Sequence, residues 1–462
     1  MDRPLSTIRR VRLMAGGLNV VILAAGQGTR MRSAMPKPLQ LLAGKPLLAH
    51  VIDGAAGLEP DRIVVVCGHG AEPVRAAFSG APIDWVEQAE QLGSGHAVIQ
   101  ALPAIDPGAR VLVLYSDVAL VTVETLWRLV ADDEGVSLLT AEVEDPSGYG
   151  RIIRNTDGAV AGIVEHADAT PEQRLVREIN VGPMAAPGDW LGEACGALKP
   201  SGAKQEIYLT HTVDIALAEG TPVRAVRTGG PDEALGVNSP AQLAEAARLL
   251  RRRRTGELME AGVRIADPER IEIRADVQAG RDVCLDVGVV LEGEIVLGDG
   301  ASIGAYSVVS DTRIDEGARI EPHCVVDGAH IGARARVGPF ARLRPQARLG
   351  EEARVGNFVE VKNSELGDGA KASHLSYVGD SEVGRDVNIG AGVITCNYDG
   401  KRKHRTVIGE GAFIGSGVEL VAPVEVGAGA MIGAGSTITK PAPADQLTVA
   451  RSRQKTLPLK KR

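Results

Sequence analysis

Aromatic residues are scarce: Phe, Trp and Tyr together make up 3% of the 462-residue chain. So few rings exclude a core of interlocking aromatics, and 56 glycines point instead to many tight turns. Cysteine is sparse too, with five residues at positions 67, 195, 284, 324 and 396. The number is odd, the positions are scattered and no CxxC spacing occurs, so neither a disulfide framework nor a zinc knuckle follows. A reducing cytoplasm is the expected compartment. No apolar run reaches the length of about 18 residues that a membrane-spanning helix needs. A basic excess is also missing, since 51 Lys and Arg against 59 Asp and Glu leave a net charge of −8. That argues against a general nucleic-acid binder but leaves room for anionic small substrates, which need only a few well-placed cations.

At roughly 150 residues per domain, the length implies roughly two to four domains. Hydrophobic residues at 44% suffice for globular cores. Residues 1–18 carry Arg3, Arg9, Arg10 and Arg12 against Asp2 and lack the apolar stretch of a secretory signal. They are expected to be a disordered extension, or the product of a start assigned upstream of Met14. Residues 19–238 alternate apolar runs with helical spacing. Asn19–Ala25, Ile63–Cys67 and Val111–Tyr115 read as buried parallel strands, and Pro46–Ala56 reads as a helix between two of them. The pattern predicts an α/β Rossmann-like domain with a mostly parallel sheet, whose ligands sit beyond the carboxyl ends of the strands. Residues 239–262 read as a linker helix, capped by Ser239 and started by Pro240. Its run Arg251–Arg254 is expected to be solvated, because four consecutive residues point around the whole helix.

Residues 263–462 repeat. Ile331, Val337, Leu343, Leu349 and Val355 are six apart, as are Ile408, Ile414, Leu420, Val426, Ile432 and Ile438, and as are Leu285, Leu291, Leu297, Ile303 and Val309. A six-residue aliphatic period fits neither a helix nor a two-sided strand. It fits a solenoid of short flat strands, with the aliphatic side chain inward and Gly or another small residue at the corner. This resembles the left-handed parallel β-helix of hexapeptide repeats. The period breaks at Asn397–Arg405 (NYDGKRKHR), where an ejected polar loop is expected to carry function.

The first strand runs into Leu23-Ala24-Ala25-Gly26-Gln27-Gly28-Thr29-Arg30-Met31, a glycine-containing loop whose N–H groups can cradle phosphate, with Arg30 and Lys37 as nearby cations. It has neither the GKS/T of a Walker loop nor the third glycine of a dinucleotide fingerprint. It is similar to the LAAGxGTRM signature of sugar-phosphate nucleotidyltransferases. With QAEQLGSGHA (88–97), YSD (115–117), DPSGYGR (145–151), GIVEH (162–166), EIN (178–180), GVN (236–238) and the hexapeptide repeats, the chain resembles one family over residues 19–455. That family is the bifunctional N-acetylglucosamine-1-phosphate uridyltransferase and glucosamine-1-phosphate acetyltransferase, GlmU.

Uridylyl transfer joins two anions, so positioning and charge neutralisation dominate. Asp117, at the end of an apolar strand, would by itself read as a cap or turn residue. The resemblance implies instead that Asp117 and Asn238 hold Mg²⁺. It implies that Arg30 and Lys37 contact phosphates, and that Leu23, Ala24, Ala25, Gly26, Gln88, Gly93, Ser94 and Tyr115 bind the nucleotide. Gly150, Glu165 and Asn180 would face the sugar. Two departures stand out: Ser116 replaces a Gly, and YLTH (208–211) ends in His211 where the family commonly has Asp.

Acetyl transfer to an amine needs a base for its proton and donors for the oxyanion. By itself His374, in KASHLSYVGD, would read as structural or merely exposed. Beside ARLRP (341–345), NFVEVKN (357–363), NIGAG (388–392) and TCNYDG (395–400), the resemblance implies that it is the general base, with Glu360 orienting its ring. Arg344, Lys362, Tyr377 and Asn388 would bind glucosamine 1-phosphate. Ala391, Asn397, Tyr398, Ser416, Ala434 and Arg451 would line the acetyl-CoA path. Gly417 stands where the family often has Asp, and Cys396 is expected to pack rather than react. The tail 451–462 carries six cations and no acid, which suits either solvation or CoA phosphates. The resemblance also implies a cytoplasmic homotrimer with sites shared between chains, acting on UTP, N-acetylglucosamine 1-phosphate, glucosamine 1-phosphate and acetyl-CoA. Two other readings remain open at this level: a nucleotidyltransferase with a regulatory β-helix, and a β-helix that only trimerises. Neither needs His374, Lys362, Arg344 and the Asn397-Tyr398 loop together.

Overall fold

A computed structural model describes residues 17–26, 28–68, 71–132, 134–201 and 205–458. Most of the expected N-terminal extension and the last four residues of the basic tail lie outside these. The chain divides into two compact units, with the boundary between Leu250 and Arg251.

The first unit is built on a sheet of β1 (Leu18–Ala24), β2 (Arg62–Gly68), β3 (Asp84–Gln88), β4 (Arg110–Tyr115), β5 (Val136–Glu142), β6 (Glu178–Pro187) and β7 (Val223–Arg227), in the order β7-β5-β6-β4-β1-β2-β3. β1 runs parallel to β2 and β4, and β6 runs antiparallel to its neighbours β4 and β5. Residues of β1 alternate between two cores. Val20 and Ile22 join Val51 and Leu126 on one face, and Val21 and Leu23 join Val98, Leu191 and Val213 on the other. A strand buried on both faces must be apolar throughout, which is why NVVILAA and VLVLY are unbroken runs. Ala25, Gly26, Gly28, Thr29, Gln88, Ser116 and Asp117 lie at the carboxyl ends of β1, β3 and β4 and gather at one rim of the sheet.

Helix α1 (Pro240–Glu260) spans the boundary between the units. Its arginines are not left to solvent as expected. Arg251 donates to Glu272 at 3.0 Å, Arg252 to Glu269 at 2.9 Å and Arg254 to the Ile273 carbonyl at 2.6 Å. The run does point around the helix, but the first turn of the following solenoid supplies acceptors on the side it faces. Burial then pushes the Arg254 guanidinium below its ordinary value.

The second unit is a hexapeptide-repeat β-helix of short parallel strands. One face is an 11-stranded sheet and the other two merge into a 16-stranded sheet. Backbone N–H groups of each coil donate to the next, as in Arg319 to Ala335 at 2.9 Å and Arg336 to Ala353 at 2.9 Å. Ile303, Ile320, Val337, Val355, Ile389, Ile414 and Ile432 stack inward and are buried. The corner after the 11-stranded face departs from the expectation of small residues. Tyr306, His323, Phe340 and Phe358 occupy left-handed backbone positions there and stack with ring centroids 5.5, 4.9 and 5.4 Å apart. Offset stacking of this kind contributes about 0.5–1.5 kcal/mol per pair, which offsets part of the backbone strain of a bulky residue at positive φ. The coil after Ile389 is longer than its neighbours: Ala372 pairs with Ile389, yet Ile389 pairs with Ile414, and the excess falls within Asn397–Arg405.

Inward and outward neighbours on one strand should respond differently to the same truncation. Val326 is 0% exposed and Val325 is 45% exposed. Val326→Ala is expected to destabilise the solenoid by about 1.5–3 kcal/mol, and Val325→Ala by less than about 0.5 kcal/mol, in denaturant titrations followed by circular dichroism.

Candidate functional sites

In the first unit the strand ends enclose a cavity of about 600 Å³. Its lining includes Leu23, Ala25, Gly26, Arg30, Lys37, Gln88, Gly93, Ser94, Tyr115, Asp117 and Asn238, so most of the residues singled out for the nucleotide converge on it. Ala24 is buried beside it and does not line it. Gly150, Glu165 and Asn180 form a separate group: Asn180 N–H donates to the Gly150 carbonyl at 2.9 Å, and Thr210 Oγ1 donates to Glu165 Oε1 at 3.1 Å.

Charge dominates the cavity's inner wall. Lys37 Nζ lies 2.6 Å from Asp117 Oδ2 and 2.8 Å from Asn238 Oδ1, and Arg30 Nη2 donates to the same Asn238 oxygen at 2.9 Å. A carboxylate oxygen and an amide oxygen from distant segments therefore aim at one point, which a cation occupies. Both are hard oxygen donors, and such a pair suits Mg²⁺ when phosphates and water complete its shell. Among the described residues no cluster of three or more His, Cys, Asp or Glu side chains competes for a metal.

The opposite wall is set by backbone. Gly93 has φ of +108°, and a side-chain carbon there would lie 2.5 Å from the Ile207 carbonyl oxygen. Gly95 N–H donates to that same oxygen at 2.8 Å, which draws the two segments together. Gln88 is 3% exposed, and its amide nitrogen donates to the Gly93 carbonyl at 3.0 Å. Burial pushes the Tyr115 hydroxyl up to about 12, with the Ser94 hydrogen bond acting in the opposite sense, so the phenol stays neutral. Ser116 is buried, lines the cavity, and donates its N–H to the Leu23 carbonyl at 3.0 Å. Tyr208 and Glu206 also line the cavity and were not singled out from the sequence. The YLTH string was the available signal: the His211 ring packs edge-on against Tyr208 with centroids 5.7 Å apart, a contact made without a carboxylate.

In the β-helix, His374 ends the strand Lys371–His374 and is exposed. Its Nδ1–H donates to Asn357 Oδ1 at 2.7 Å, and among the described residues no hydrogen bond is made to Nε2. Glu360, the expected orienter, instead accepts from Arg344 Nη1 at 2.9 Å. The register explains the difference: Asn357 stands directly across from His374 on one face, whereas Glu360 stands across from Tyr377 on the next. Asn357 lies within the NFVEVKN string but was not itself picked out, because an Asn carries little signal without the coil alignment. Tyr377 and Asn397 meet, with Asn397 Nδ2 3.4 Å from the Tyr377 hydroxyl. Asn397 also donates to Asp380. The neighbouring Lys362 holds the Lys403 ammonium below the ordinary lysine value, and Asp380 pulls it back up. Asp380 and Lys403 were not singled out in the sequence.

Ala391, Ser416 and Ala434 occupy one corner in successive coils. Gly417 N–H donates to the Ala391 carbonyl and Gly435 N–H to the Ser416 carbonyl, at 2.8 and 2.9 Å. Arg451 Nη1 donates to the Ala434 carbonyl at 2.6 Å, which ties the start of the tail to this column. Gly417 has φ of +64°, where a residue without Cβ carries the least strain. Asn388 faces outward between Lys371 and Phe413, on the same face as His374. Tyr398 is exposed on the loop. Burial raises the Cys396 thiol above its ordinary value, which disfavours a thiolate nucleophile.

Comparisons with known proteins bear on both units. A family profile described as MobA-like NTP transferase domain matches residues 20–173, and one described as bacterial transferase hexapeptide (six repeats) matches residues 405–440. The chain is 53% identical over 445 residues to "Bifunctional protein GlmU" of Alkalilimnicola ehrlichii, covering 96% of each chain. It is 52% identical over 442 residues to the protein of the same name from Dechloromonas aromatica, covering 96% of this chain and 98% of that one. It is 50% identical over 442 residues to that of Chromobacterium violaceum, covering 96% and 97%.

The contact of Gly93 with Ile207 yields a test of the cavity. Gly93→Ala is expected to weaken UTP binding by about 1–3 kcal/mol, roughly five- to 150-fold, as measured by isothermal titration calorimetry.

Proposed function

Since the chain belongs to the bifunctional GlmU family, we propose how its two units divide the making of UDP-N-acetylglucosamine between them. The second unit transfers acetyl from acetyl-CoA to glucosamine 1-phosphate. The first joins the product to UTP and releases pyrophosphate. The sugar nucleotide then feeds peptidoglycan and lipopolysaccharide precursors. The observation that carries the two-reaction reading is the β-helix surface itself. An imidazole held at Nδ1 by Asn357 and the nearby cations Arg344 and Lys362 serve no purpose in a regulatory or trimerising solenoid.

For acetyl transfer, Nε2 of His374 takes a proton from the amine as its nitrogen attacks the thioester carbonyl. The C–N bond forms, the tetrahedral oxyanion collapses, and the C–S bond breaks to release CoA. Asn357 holds the ring from Nδ1 and so fixes which nitrogen accepts the proton. Arg344, itself oriented by Glu360, and Lys362 bind the sugar phosphate, while Tyr377 and Asn388 bind the sugar. The pantetheine arm lies along the column of small residues at Ala391, Ser416 and Ala434, near Asn397, Tyr398 and Arg451. Small side chains there leave a flat track.

For uridylyl transfer, a phosphate oxygen of N-acetylglucosamine 1-phosphate attacks the α-phosphorus of UTP, and the bond to the β-phosphate oxygen breaks. Arg30 and Lys37 neutralise the triphosphate, and Gln88, Gly93 and Ser94 hold the base. Leu23, Ala25, Gly26 and Tyr115 shape the cavity around the nucleotide. Gly150, Glu165 and Asn180 receive the acetylated sugar. Asp117 and Asn238 would hold Mg²⁺, which supplies charge neutralisation and alignment of the phosphates. Five free thiols and substrates that are cytosolic metabolites fit a cytoplasmic setting, and the flat outer faces of the β-helix suit a homotrimer.

Two substitutions and a chelator separate the reactions. His374→Ala is expected to lower acetyl transfer by about 10²–10⁴-fold while leaving uridylyl transfer unchanged. Asp117→Ala should do the reverse. EDTA should abolish uridylyl transfer and leave acetylation intact. Omitting acetyl-CoA, glucosamine 1-phosphate, UTP and Mg²⁺ in turn from a coupled assay reads out both steps, and near-wild-type acetylation by His374→Ala would remove the base assignment.

A further inference from the structure

Gln88 closes β3 at the wall of the first unit's cavity, and its side-chain amide is fixed from two directions. Nε2 donates to the Gly93 carbonyl at 3.0 Å and lies 3.0 Å from His96 Nδ1. An amide nitrogen is a donor only, so the ring nitrogen it meets is the acceptor. The His96 proton therefore sits on Nε2, which faces the side-chain amide of Gln100 at 3.3 Å. A half-turn about its last bond lets that amide present oxygen. His96 and Gln100 lie one turn apart on the helix Ser94–Ala101, so the helix sets their spacing. Both hydrogens of the Gln88 amide are thereby spent. Its oxygen Oε1 makes no hydrogen bond among the described residues, although Gln88 is 3% exposed and lines the cavity. His96 is half-buried and does not line the cavity.

We propose that His96 is a positioning residue for base selection: by accepting from Gln88 Nε2 it holds that amide with its oxygen toward the nucleotide base, so that the cavity takes a pyrimidine with a hydrogen on N3 and rejects one with a bare N3. The proposal rests on Gln88 meeting the base of UTP. Uracil carries a hydrogen on N3, whereas cytosine has a lone pair there and an amino group on C4. An acceptor oxygen gains a hydrogen bond from the first and faces a lone pair in the second. A buried polar group left unpaired in this way costs free energy, and that cost is what a base-reading site uses to discriminate. Turned over, the amide would set its oxygen against two acceptors, the Gly93 carbonyl and His96 Nδ1, and would offer N–H groups to the base. The Gly93 carbonyl opposes that turn with one contact, and His96 supplies the second. His96 lies behind Gln88 and acts through it.

A competition assay on the full chain tests this. UTP and CTP are supplied together with N-acetylglucosamine 1-phosphate and Mg²⁺, and the ratio of the two nucleotide sugars formed reads their relative kcat/KM. His96→Ala is expected to lower the preference for UTP by about tenfold, through loss of one amide hydrogen bond. Asn places a side-chain oxygen near the position of Nδ1, so His96→Asn should stay within about threefold of the wild-type ratio. Gln places its amide nearer the position of Nε2, away from Gln88, so His96→Gln should resemble His96→Ala. A merely structural His96 would lower the use of both nucleotides alike, and an unchanged ratio in His96→Ala overturns the proposal. If His96→Ala does not fold, His96→Asn against His96→Gln carries the comparison, and equal ratios overturn it. Gln88→Ala separates this proposal from the reading beneath it, and is expected to lower the preference at least as far as His96→Ala. A wild-type ratio in Gln88→Ala would show that Gln88 does not meet the base, and both ideas would fall. A collapsed ratio in Gln88→Ala with a wild-type ratio in His96→Ala would overturn the role of His96 alone.

Discussion

Backbone hydrogen bonds from each coil to the next, with an aliphatic side chain turned inward at every sixth residue, fix where each outward side chain of the second unit stands. The coil cannot slip by one residue without exposing its whole inner stack. Residues far apart in the chain are thereby held at strand spacing. Asn357 stands across from His374, and Ala391, Ser416 and Ala434 follow one another up a corner. Much of the proposed chemistry of this half rests on that registration, with the loop Asn397–Arg405 and Arg451 adding contacts from outside the ladder.

The first unit solves its positioning problem differently. The end of β4 and the segment leading into α1, not stacked coils, bring Asp117 and Asn238 to one point, and a lysine from a third segment balances them. Close approach of two backbone segments at Gly93 and Ile207 shapes the facing wall. The two units share a requirement, which is to hold phosphate-bearing sugars, and they meet it with different architecture: a rim of loops in one, a prism surface in the other.

Much of this was legible in the amino-acid order. The unbroken runs around Val20, Val64 and Val113 marked buried strands, because only strands covered on both faces are apolar at every position. The six-residue period marked the solenoid. Motif strings pointed to most of the cavity lining. What was not legible depended on register and on partner choice. Glu360 and Asn357 are three residues apart in one motif, and only coil alignment decides which of them meets His374. The arginines of the helix were read as solvated, since nothing in their own segment reveals Glu269 and Glu272 across the turn. Tyr306, His323, Phe340 and Phe358 lie too far apart in sequence to suggest a stack until the coil length is known.

The longer coil carries a lesson about how such molecules acquire new capability. Ile389 and Ile414 meet across the added residues in the same parallel pairing that joins Ala372 to Ile389, so neither neighbouring rung registers the insertion. Length can vary at a corner of the prism at almost no expense to the stack beneath it. A repetitive scaffold is therefore open to innovation one corner at a time, and an ancestral wall of identical rungs could gain a reactive edge through a single short insertion.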